Sequence, residues 1–317
     1  MKKIYKVTLK TLGPIFIGSG QTLRKSMYLH KNQQVSIIDE TKFIQILDKV
    51  GKYDLFLEGM EKNPHLNLRD FLDKNKITST SFVKYTLPVN SFKGTARRLN
   101  DLSLFVRDGN GDAYIPGSSL KGALRTCILE KIKDDNANNE IFKNLSVSDS
   151  SIIDNNSFEV YQKVDYTSPK KTPNSLSLYR ECIKPDVEIC FTLSLGDCIT
   201  IEQIQEGIRK TYSHYHYNWA GNIKEPQIHP ENDKGRCLLY LGGGAGFVSK
   251  TLHYKEKPKA QAKKDAYEIL RRKFPVYKKI TNPKNVPMAL KITTSSMGDL
   301  EMGLCELSFE EMEMQLW

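Results

Sequence analysis

The order of strand-like and helix-like segments limits the possible folds of this chain more than any other feature. Ile4–Lys10, Val35–Ile38 and Glu188–Leu195 alternate between apolar and polar residues, which predicts strands with one buried face. The helical patterns between such strands are short and irregularly placed. This order predicts an α+β fold, in which helices pack on one face of an antiparallel sheet.

Three consecutive helical patterns stand out near the N-terminus, at Thr41–Val50, Tyr53–Met60 and Leu66–Asn75. Their apolar residues recur at helical spacing, which indicates short amphipathic helices. We treat about 41–75 as a helical insertion. A soft boundary near Gly196–Thr200 suggests a division of the chain there.

The composition narrows the class of protein. The formal net charge is +10 and the pI is about 9.1, an excess that favours a polyanionic partner. No apolar run approaches the roughly 20 residues of a membrane-spanning helix, and the six cysteines form no C-x-x-C pair typical of zinc ribbons. We therefore expect a cytoplasmic chain with no membrane contact, no metal site and no cofactor.

The positive charge is unevenly distributed along the chain. Lys250–Lys284 contains twelve Lys or Arg against three acidic residues, whereas the nineteen residues from Asp299 onward contain six acids and no Lys or Arg. This polarity predicts a surface that meets phosphate on one side.

The segment Tyr114–Thr126 (YIPGSSLKGALRT) predicts a strand at Ala113–Pro116, a tight turn, and a helix with Ser118 or Ser119 as its N-cap. Unpaired amides and the positive dipole end of such a helix favour anions. An ordinary capped amphipathic helix stays an alternative reading.

Four side chains of this motif are candidates for phosphate contact. The hydroxyls of Ser118 and Ser119 lie at the predicted helix start, and Lys121 and Arg125 are four residues apart on one helix face. Leu120, Leu124, Ile128 and Leu129 form the predicted apolar stripe.

A second motif follows a predicted strand at Arg236–Leu241 and is rich in glycine (LGGGAGFVSKT). Such a loop lets a nucleic-acid backbone lie against main-chain amides, although a flexible turn is an equal alternative. The spacing matches neither a Walker loop nor a dinucleotide fingerprint. The candidate RNA-binding residues in it are Gly242, Gly243, Gly244, Gly246 and Lys250.

Two further segments present basic residues. Phe158–Asp165 and Leu176–Ile183 read as the strands of a long hairpin, and basic hairpins contact RNA backbones in some proteins but are more often simply solvated. Val89–Asp101 reads as a helix. The cations on these segments are Lys163, Lys170, Lys171 and Arg180 on the hairpin, and Lys93 and Arg97 on the helix.

The histidines give weaker signals. His214 and His216 lie in an aromatic cluster, HYHYNW, which could stack on bases but more often packs in a core. His30 lies in a polar segment, where an isolated histidine is usually exposed.

Together, the segments GPIFIGSG, IPGSSLKGALR and GGGAGFVSKT resemble the RAMP proteins of CRISPR systems, and the order of the motifs is similar to that in type III-A (Csm) complexes. The resemblance spans about Ile4–Phe309. It implies a ferredoxin-like (RRM-like) RAMP core with insertions, including a thumb-like β-hairpin at about 161–183. In this reading 1–200 forms the core and 201–317 forms a C-terminal region packed on it.

The resemblance also implies a role and partners. It implies an RNA-binding subunit that contacts the 3′ region of the guide crRNA, caps the filament of backbone subunits beside the guide–target duplex, and aids crRNA maturation in antiviral defence. The implied protein partners are the adjacent backbone RAMP subunit and the small subunit of the Csm complex. A third hypothesis, based on the acidic C-terminus rather than on the resemblance, is that the chain recruits a host nuclease that trims the 3′ end of the guide.

The same resemblance bears on catalysis. The early loop that carries a cutting Asp in the backbone subunits corresponds here to Gly18–Gln34, which contains no Asp or Glu. We therefore expect no catalytic residue and no enzymatic activity. The alternative is a metal-independent endoribonuclease that processes precursor crRNA, with His30 as general acid or base.

Overall fold

The computed structural model describes residues 2–90, 99–129, 135–168, 173–218, 235–246, 258–273, 275–279, 288–296 and 298–313. Within them the strands are β1 (Lys3–Thr11), β2 (Gly18–Leu23), β3 (Tyr28–Lys31), β4 (Gln34–Ile38), β5 (Val83–Pro88), β6 (Leu102–Phe105), β7 (Leu145–Val147), β8 (Phe158–Ser168), β9 (Pro173–Ile183), β10 (Glu188–Leu195), β11 (Cys237–Tyr240), β12 (Met288–Ser295), β13 (Gly298–Glu301) and β14 (Leu304–Met312). The helices are α1 (Glu40–Lys49), α2 (Tyr53–Lys62), α3 (Leu68–Lys74), α4 (Gly117–Leu129), α5 (Asp135–Asn144), α6 (Ile201–Asn218) and α7 (Lys259–Lys273). These sheets and helices confirm the predicted α+β class. None of the helices described is long and apolar enough to cross a membrane.

A five-stranded sheet of order β11-β14-β1-β10-β7 has β1 at its centre. The alternation predicted for β1 buries Tyr5, Val7 and Leu9, because successive side chains of a strand point to opposite faces. Both neighbours are antiparallel to β1, so that Val7 pairs with Phe191 on one side and Phe309 on the other. Strands from both sides of residue 200 therefore share one sheet, and the division there stays a prediction.

The six-stranded sheet, of order β13-β12-β8-β9-β6-β2, contains the predicted hairpin. β8 and β9 pair antiparallel from Phe158–Ile183 to Tyr166–Pro173, which confirms the two strands. The basic tip with Lys170 and Lys171 lies outside the described residues. β6 pairs with β9 in parallel and so brings the segment that follows β6 against the base of the hairpin.

The insertion forms a separate hydrophobic cluster with the three-stranded sheet β3-β4-β5. Phe43 of α1, Phe71 of α3 and Phe82 are buried in it, and the ring of Phe56 meets that of Phe43 edge-on at 5.2 Å. The Asp39 carboxylate accepts the hydrogen bond that caps α1. The three helices predicted within 41–75 are therefore confirmed.

Helices α4 and α6 pack together beside the five-stranded sheet. Leu120, Leu124 and Ile128 are at most 1% exposed, which confirms the predicted apolar stripe of α4. A side chain at Gly207 of α6 would meet the Cys127 carbonyl of α4 at 2.9 Å. Glycine at this position therefore lets the two helices approach closely.

Two predictions about the strand–turn–helix motif were wrong. Ala113–Pro116 is not a regular strand, because the Ser150 hydroxyl, rather than a strand partner, accepts from the Ile115 amide at 2.9 Å. Helix α4 begins at Gly117, so Ser118 and Ser119 lie in its first turn and neither is the N-cap.

Two further predicted helices remain to be compared with the structure. Helix α6 extends to Asn218 because the aromatic residues beyond Thr211 pack as a helical face. The predicted helix Val89–Asp101, with Lys93 and Arg97, lies mostly outside the described residues.

A buried ion pair joins the sheets. The Glu181 carboxylate on β9 is fully buried and accepts from the Arg107 guanidinium at 2.6 Å. Its second oxygen accepts from the Phe105 amide at 3.0 Å and from the Tyr85 hydroxyl at 3.3 Å. The Arg107 guanidinium also lies 4.3 Å from the Tyr85 ring centre. These contacts tie β5, β6 and the hairpin together.

We expect Glu181→Gln to lower the free energy of unfolding by about 3–5 kcal/mol, because it leaves the Arg107 charge buried without a counter-charge. Urea unfolding followed by circular dichroism measures this. Glu306→Gln is the matched control, since its partner Arg236 is 37% exposed and a solvated pair contributes about 1 kcal/mol or less. Equal losses in the two variants would contradict this prediction.

Candidate nucleic-acid interface

A pocket of about 420 Å³ lies between α4, α6, β11 and the glycine loop, which we define as Leu241–Gly246. Small residues of α4 line one side of it, at Ser119, Gly122, Ala123 and Thr126. Gly18, at the start of β2, and Gly242 and Gly243 of the glycine loop line another side. All three glycine- or serine-rich motifs singled out in the sequence thus contribute to one pocket.

An aromatic wall closes the pocket beside α6. Tyr240 of β11 is stacked on Tyr212 with ring centres 6.2 Å apart and meets Tyr215 edge-on at 5.0 Å. Burial raises the pKa of both Tyr215 and Tyr240 well above the usual value, so these phenols are uncharged near neutral pH. Tyr240 donates a hydrogen bond of 2.5 Å to the buried Glu301 carboxylate. The wall is therefore packed ring against ring and carries hydroxyl groups on an apolar surface.

The glycine loop is held against the chain's own backbone. The Gly243 amide donates to the Phe16 carbonyl at 2.6 Å, and a Cβ at Gly242 would overlap the same oxygen. Gly242, Gly244 and Gly246 have φ of +82°, +93° and +94°, which favours glycine strongly. Internal packing alone thus requires glycine at 242, whatever else the loop binds.

Lys121 and Arg125 point away from the pocket. The Lys121 ammonium donates to the Phe142 carbonyl at 2.9 Å and to the Leu145 carbonyl at 2.6 Å. The exposed Arg125 lies over the Phe142 ring at 5.0 Å. The two cations share a helix face as predicted, but that face meets the end of α5, and the ammonium caps its carbonyls.

The two serines of α4 differ in position. Ser118 is exposed, whereas Ser119 is partly buried and lines the pocket. The Asp149 carboxylate already accepts from the Gly117 amide at 2.8 Å. A carboxylate at this helix start reduces its attraction for a second anion. The serine hydroxyls and the pocket are therefore better evidence for an RNA contact here than the helix dipole is.

Five predicted contact residues lie outside the described part of the chain and stay predictions, namely Lys93, Arg97, Lys170, Lys171 and Lys250.

His30, His214 and His216 are not among the residues that line the pocket. His30 is on β3 of the insertion sheet, and burial lowers the pKa of its imidazole, so the ring is neutral near pH 7. His214 and His216 lie on α6, where His216 stacks on Tyr212 with ring centres 6.1 Å apart. Among the residues described, no three His, Cys, Asp or Glu side chains are grouped to hold a metal ion.

Sequence reasoning missed the small-residue face of α4 as a pocket wall. Ser119, Gly122, Ala123 and Thr126 follow the spacing i, i+3, i+4, i+7 of one helix face. That pattern is visible in the sequence, but the phosphate-binding prediction was based on Lys121 and Arg125, which lie on the opposite face of α4. The aromatic wall had a weaker signal, because Tyr240 and Tyr212 are brought together only by the fold.

The sequence comparisons identify relatives over the whole chain. The RAMP superfamily model matches residues 8–249. The protein "CRISPR system Cms protein Csm5" of Enterococcus italicus is 38% identical, over 98% of both chains. The protein of the same name from Streptococcus thermophilus is 28% identical, over 79% of this chain and 80% of its own length.

Solved structures show the same fold. A chain in the cryo-EM structure of a Csm-crRNA-target RNA ternary complex of a type III-A system has a TM-score of 0.73 at 17% identity, covering 97% of this chain and all of that one. The crystal structure of T. onnurineus Csm5 has a TM-score of 0.63 at 16% identity, covering 94% and 99%. The chain belongs to the RAMP superfamily and, within it, to the Csm5 family of these relatives.

We expect Gly242→Ala and Gly122→Ala, which both change pocket residues, to have opposite effects. Gly242→Ala places a methyl group on the Phe16 carbonyl at a positive φ and should destabilise the fold by more than about 1 kcal/mol. Gly122 has open space around it in a helix, so alanine there should stabilise by about 0.5–1 kcal/mol. Thermal unfolding of both variants measures this, and a stable Gly242→Ala protein would contradict it.

We expect Lys121→Met to lower the free energy of unfolding by about 1–3 kcal/mol, because it leaves two carbonyl acceptors at the end of α5 without their donor. Arg125→Met is the control, since it removes the same charge from an exposed position and should cost about 0.5 kcal/mol or less. Chemical denaturation compares them. Indistinguishable stabilities would argue against a structural role for Lys121.

Proposed function

We propose that this chain is a non-catalytic, RNA-binding subunit of a type III-A CRISPR complex. It binds the 3′ region of the guide crRNA, caps the filament of backbone RAMP subunits and contacts the small subunit. Two relatives named Csm5, and the similar chain in a Csm-crRNA-target RNA complex, support the assignment.

One observation carries the proposal most directly. Motifs from distant parts of the sequence, at Gly18, Ser119–Thr126 and Gly242–Gly243, line the same open pocket. Small residues on two sides let a nucleic-acid backbone approach main-chain amides and the hydroxyls of Ser119 and Thr126. An aromatic wall at the back offers a surface on which a base can stack.

The remaining fold assignments belong to the same proposal. The ferredoxin-like core at 1–200 contains β1, β7 and β10 of the five-stranded sheet together with α4, and the β8–β9 hairpin is the thumb that meets the guide–target duplex. The helical insertion is an addition to this core, and 201–317 form the C-terminal region.

The proposal that this chain is non-catalytic is supported by the residue types found where related proteins carry catalytic groups. Gly18–Gln34 holds no carboxylate, and His30 makes no hydrogen bond within the described residues that would position it as an acid or base. The endoribonuclease alternative is tested directly by incubating purified protein with repeat RNA in EDTA. A defined cut that disappears in His30→Ala would replace the binding proposal.

We expect Gly122→Leu to lose or shorten the guide RNA, because leucine at this open helical position fills the pocket without straining the fold. The variant and the wild type are co-expressed with the other genes of the system, the particle is purified, and its RNA is extracted and sized. Gly122→Ala is the matched control, since it changes the same residue and leaves the pocket open.

The outcomes separate clearly. Full-length guide in the Ala variant and lost or shortened guide in the Leu variant would support the pocket as the RNA site. Full-length guide in both would remove the pocket from the proposal. A particle whose guide is unchanged when this chain is omitted altogether would overturn the capping role.

A further inference from the structure

Beneath the glycine loop, one face of the six-stranded sheet gathers four charged side chains, which we call the β8–β12 charge cluster. It consists of Lys163 and Asp165 on β8, Arg180 on β9 and Lys291 on β12. Lys163 and Lys291 each lie 2.7 Å from a different oxygen of Asp165. The cluster therefore contains three cations and a single carboxylate.

This excess charge is poorly solvated. The side chains of Lys163, Asp165 and Lys291 are only 12%, 23% and 18% exposed. The pKa of Lys291 is lowered, chiefly because its ammonium is buried. The hydrogen bond to Asp165 raises this pKa, whereas the nearby cations Lys163 and Arg180 lower it. Burial opposes ionisation of Asp165, but its hydrogen bonds to both lysines outweigh this and lower the pKa of its carboxyl. The single carboxylate is thus ionised and already shared by two lysines.

Among the described residues, Arg180 is the cation of this cluster that forms no ion pair with a carboxylate within 4.0 Å. Its guanidinium stacks 4.9 Å from the Phe16 ring centre and lies directly against Gly244 of the glycine loop. Its Nη1 atom is buried, with no hydrogen-bond acceptor among the described residues. A buried donor on a charged group costs free energy when it is unpaired, and the stack on Phe16 supplies no acceptor for this nitrogen.

The neighbouring loop suggests what the missing acceptor is. Gly244 and Gly246 both have positive φ, and left-handed residues of this kind occur in turns that form anion-binding concavities. The loop also borders the pocket proposed to hold RNA. A planar guanidinium matches phosphate oxygens in a paired geometry that an ammonium lacks.

We propose that Arg180, backed by Lys163 and Lys291, forms an anion-binding site under the glycine loop that takes a phosphodiester of the bound RNA strand. The proposal rests on the RNA-binding function above and assigns it a specific cationic contact. In this arrangement Asp165 limits the positive charge when no RNA is bound.

The test compares the RNA affinity and stability of full-length variants. Arg180→Met keeps the apolar stack on Phe16 and removes the charge. We expect at least about ten-fold weaker binding of a labelled single-stranded RNA, with a salt-dependence slope lower by about 0.7 and a melting temperature equal to or above wild type. Asp165→Asn should act in the opposite direction and tighten binding.

Arg69→Met is the matched control, because it removes the same charge from α3, where Arg69 pairs with Asp73 at 2.9 Å in solvent. Its affinity should stay within about two-fold of wild type. Lys291→Met provides a second variant if Arg180→Met fails to fold, and it should also weaken RNA binding. A thermal shift with inorganic phosphate distinguishes a free anion from an RNA phosphodiester.

Each result decides between the two proposals. Wild-type RNA affinity in folded Arg180→Met or Lys291→Met would overturn this inference and leave the RNA-binding function standing. A phosphate-induced shift that Arg180→Met abolishes, with unchanged RNA affinity, would overturn the RNA phosphodiester as ligand. Failure of the wild-type protein to bind RNA, alone or in its complex, would overturn the proposed function itself.

Discussion

Main-chain contact between the glycine loop and the segment that precedes β2 holds the site together. The Gly243 amide donates to the Phe16 carbonyl, and the Gly303 amide donates to the Pro14 carbonyl at 2.8 Å. Leu241 in turn donates to the Gly303 carbonyl at 2.8 Å. Three segments from the beginning, the middle and the end of the chain therefore meet backbone to backbone, at a separation that leaves no room for a Cβ atom at Gly303. The pocket wall and the position of Arg180 both depend on this junction.

Local patterns in the sequence were enough to predict much of the fold. β1, β10 and the strands of the β8–β9 hairpin were predicted because period-two alternation matches a half-buried strand. β2 was missed because Gly18–Leu23 is almost entirely exposed and has no alternation to detect. α5 was missed because its sequence, DNANNEIFKN, is rich in asparagine, which has low intrinsic helix propensity.

The site was harder to predict because its geometry depends on distant contacts. Spacing correctly placed Lys121 and Arg125 on one face of α4, but spacing cannot tell which neighbour that face meets. The Phe142 carbonyl and ring, which engage these two cations, come from a helix that the sequence reading did not contain. Likewise, the glycines predicted a ligand-binding loop, whereas the structure shows that glycine is required at 242 because a Cβ atom there would overlap the Phe16 carbonyl.

Two buried charge arrangements on β9 illustrate different uses of the same strand. Glu181 faces the core and has its carboxylate fully engaged by Arg107, Tyr85 and the Phe105 amide. Arg180, one residue earlier, faces the glycine loop, and its Nη1 has no acceptor in the described chain. Since successive strand residues point to opposite faces, one strand carries both a carboxylate whose two oxygens accept hydrogen bonds and an arginine whose buried Nη1 has no acceptor in the described chain. The contrast separates a carboxylate that holds the fold together from a cation that we propose binds phosphate.

The central position of β1 has a consequence for how the protein is made. Ile4 pairs with Ser194 on one side and with Met312 on the other. The strands that pair with β1 are therefore separated from it by very long stretches of chain. Closing such loops costs chain entropy before any contact repays it, and folds dominated by distant pairings form slowly. During synthesis on the ribosome, one edge of β1 stays unpaired until β14 has been made. Until then that edge is open to pairing with other chains, so the incomplete chain is more prone to aggregation than the finished protein.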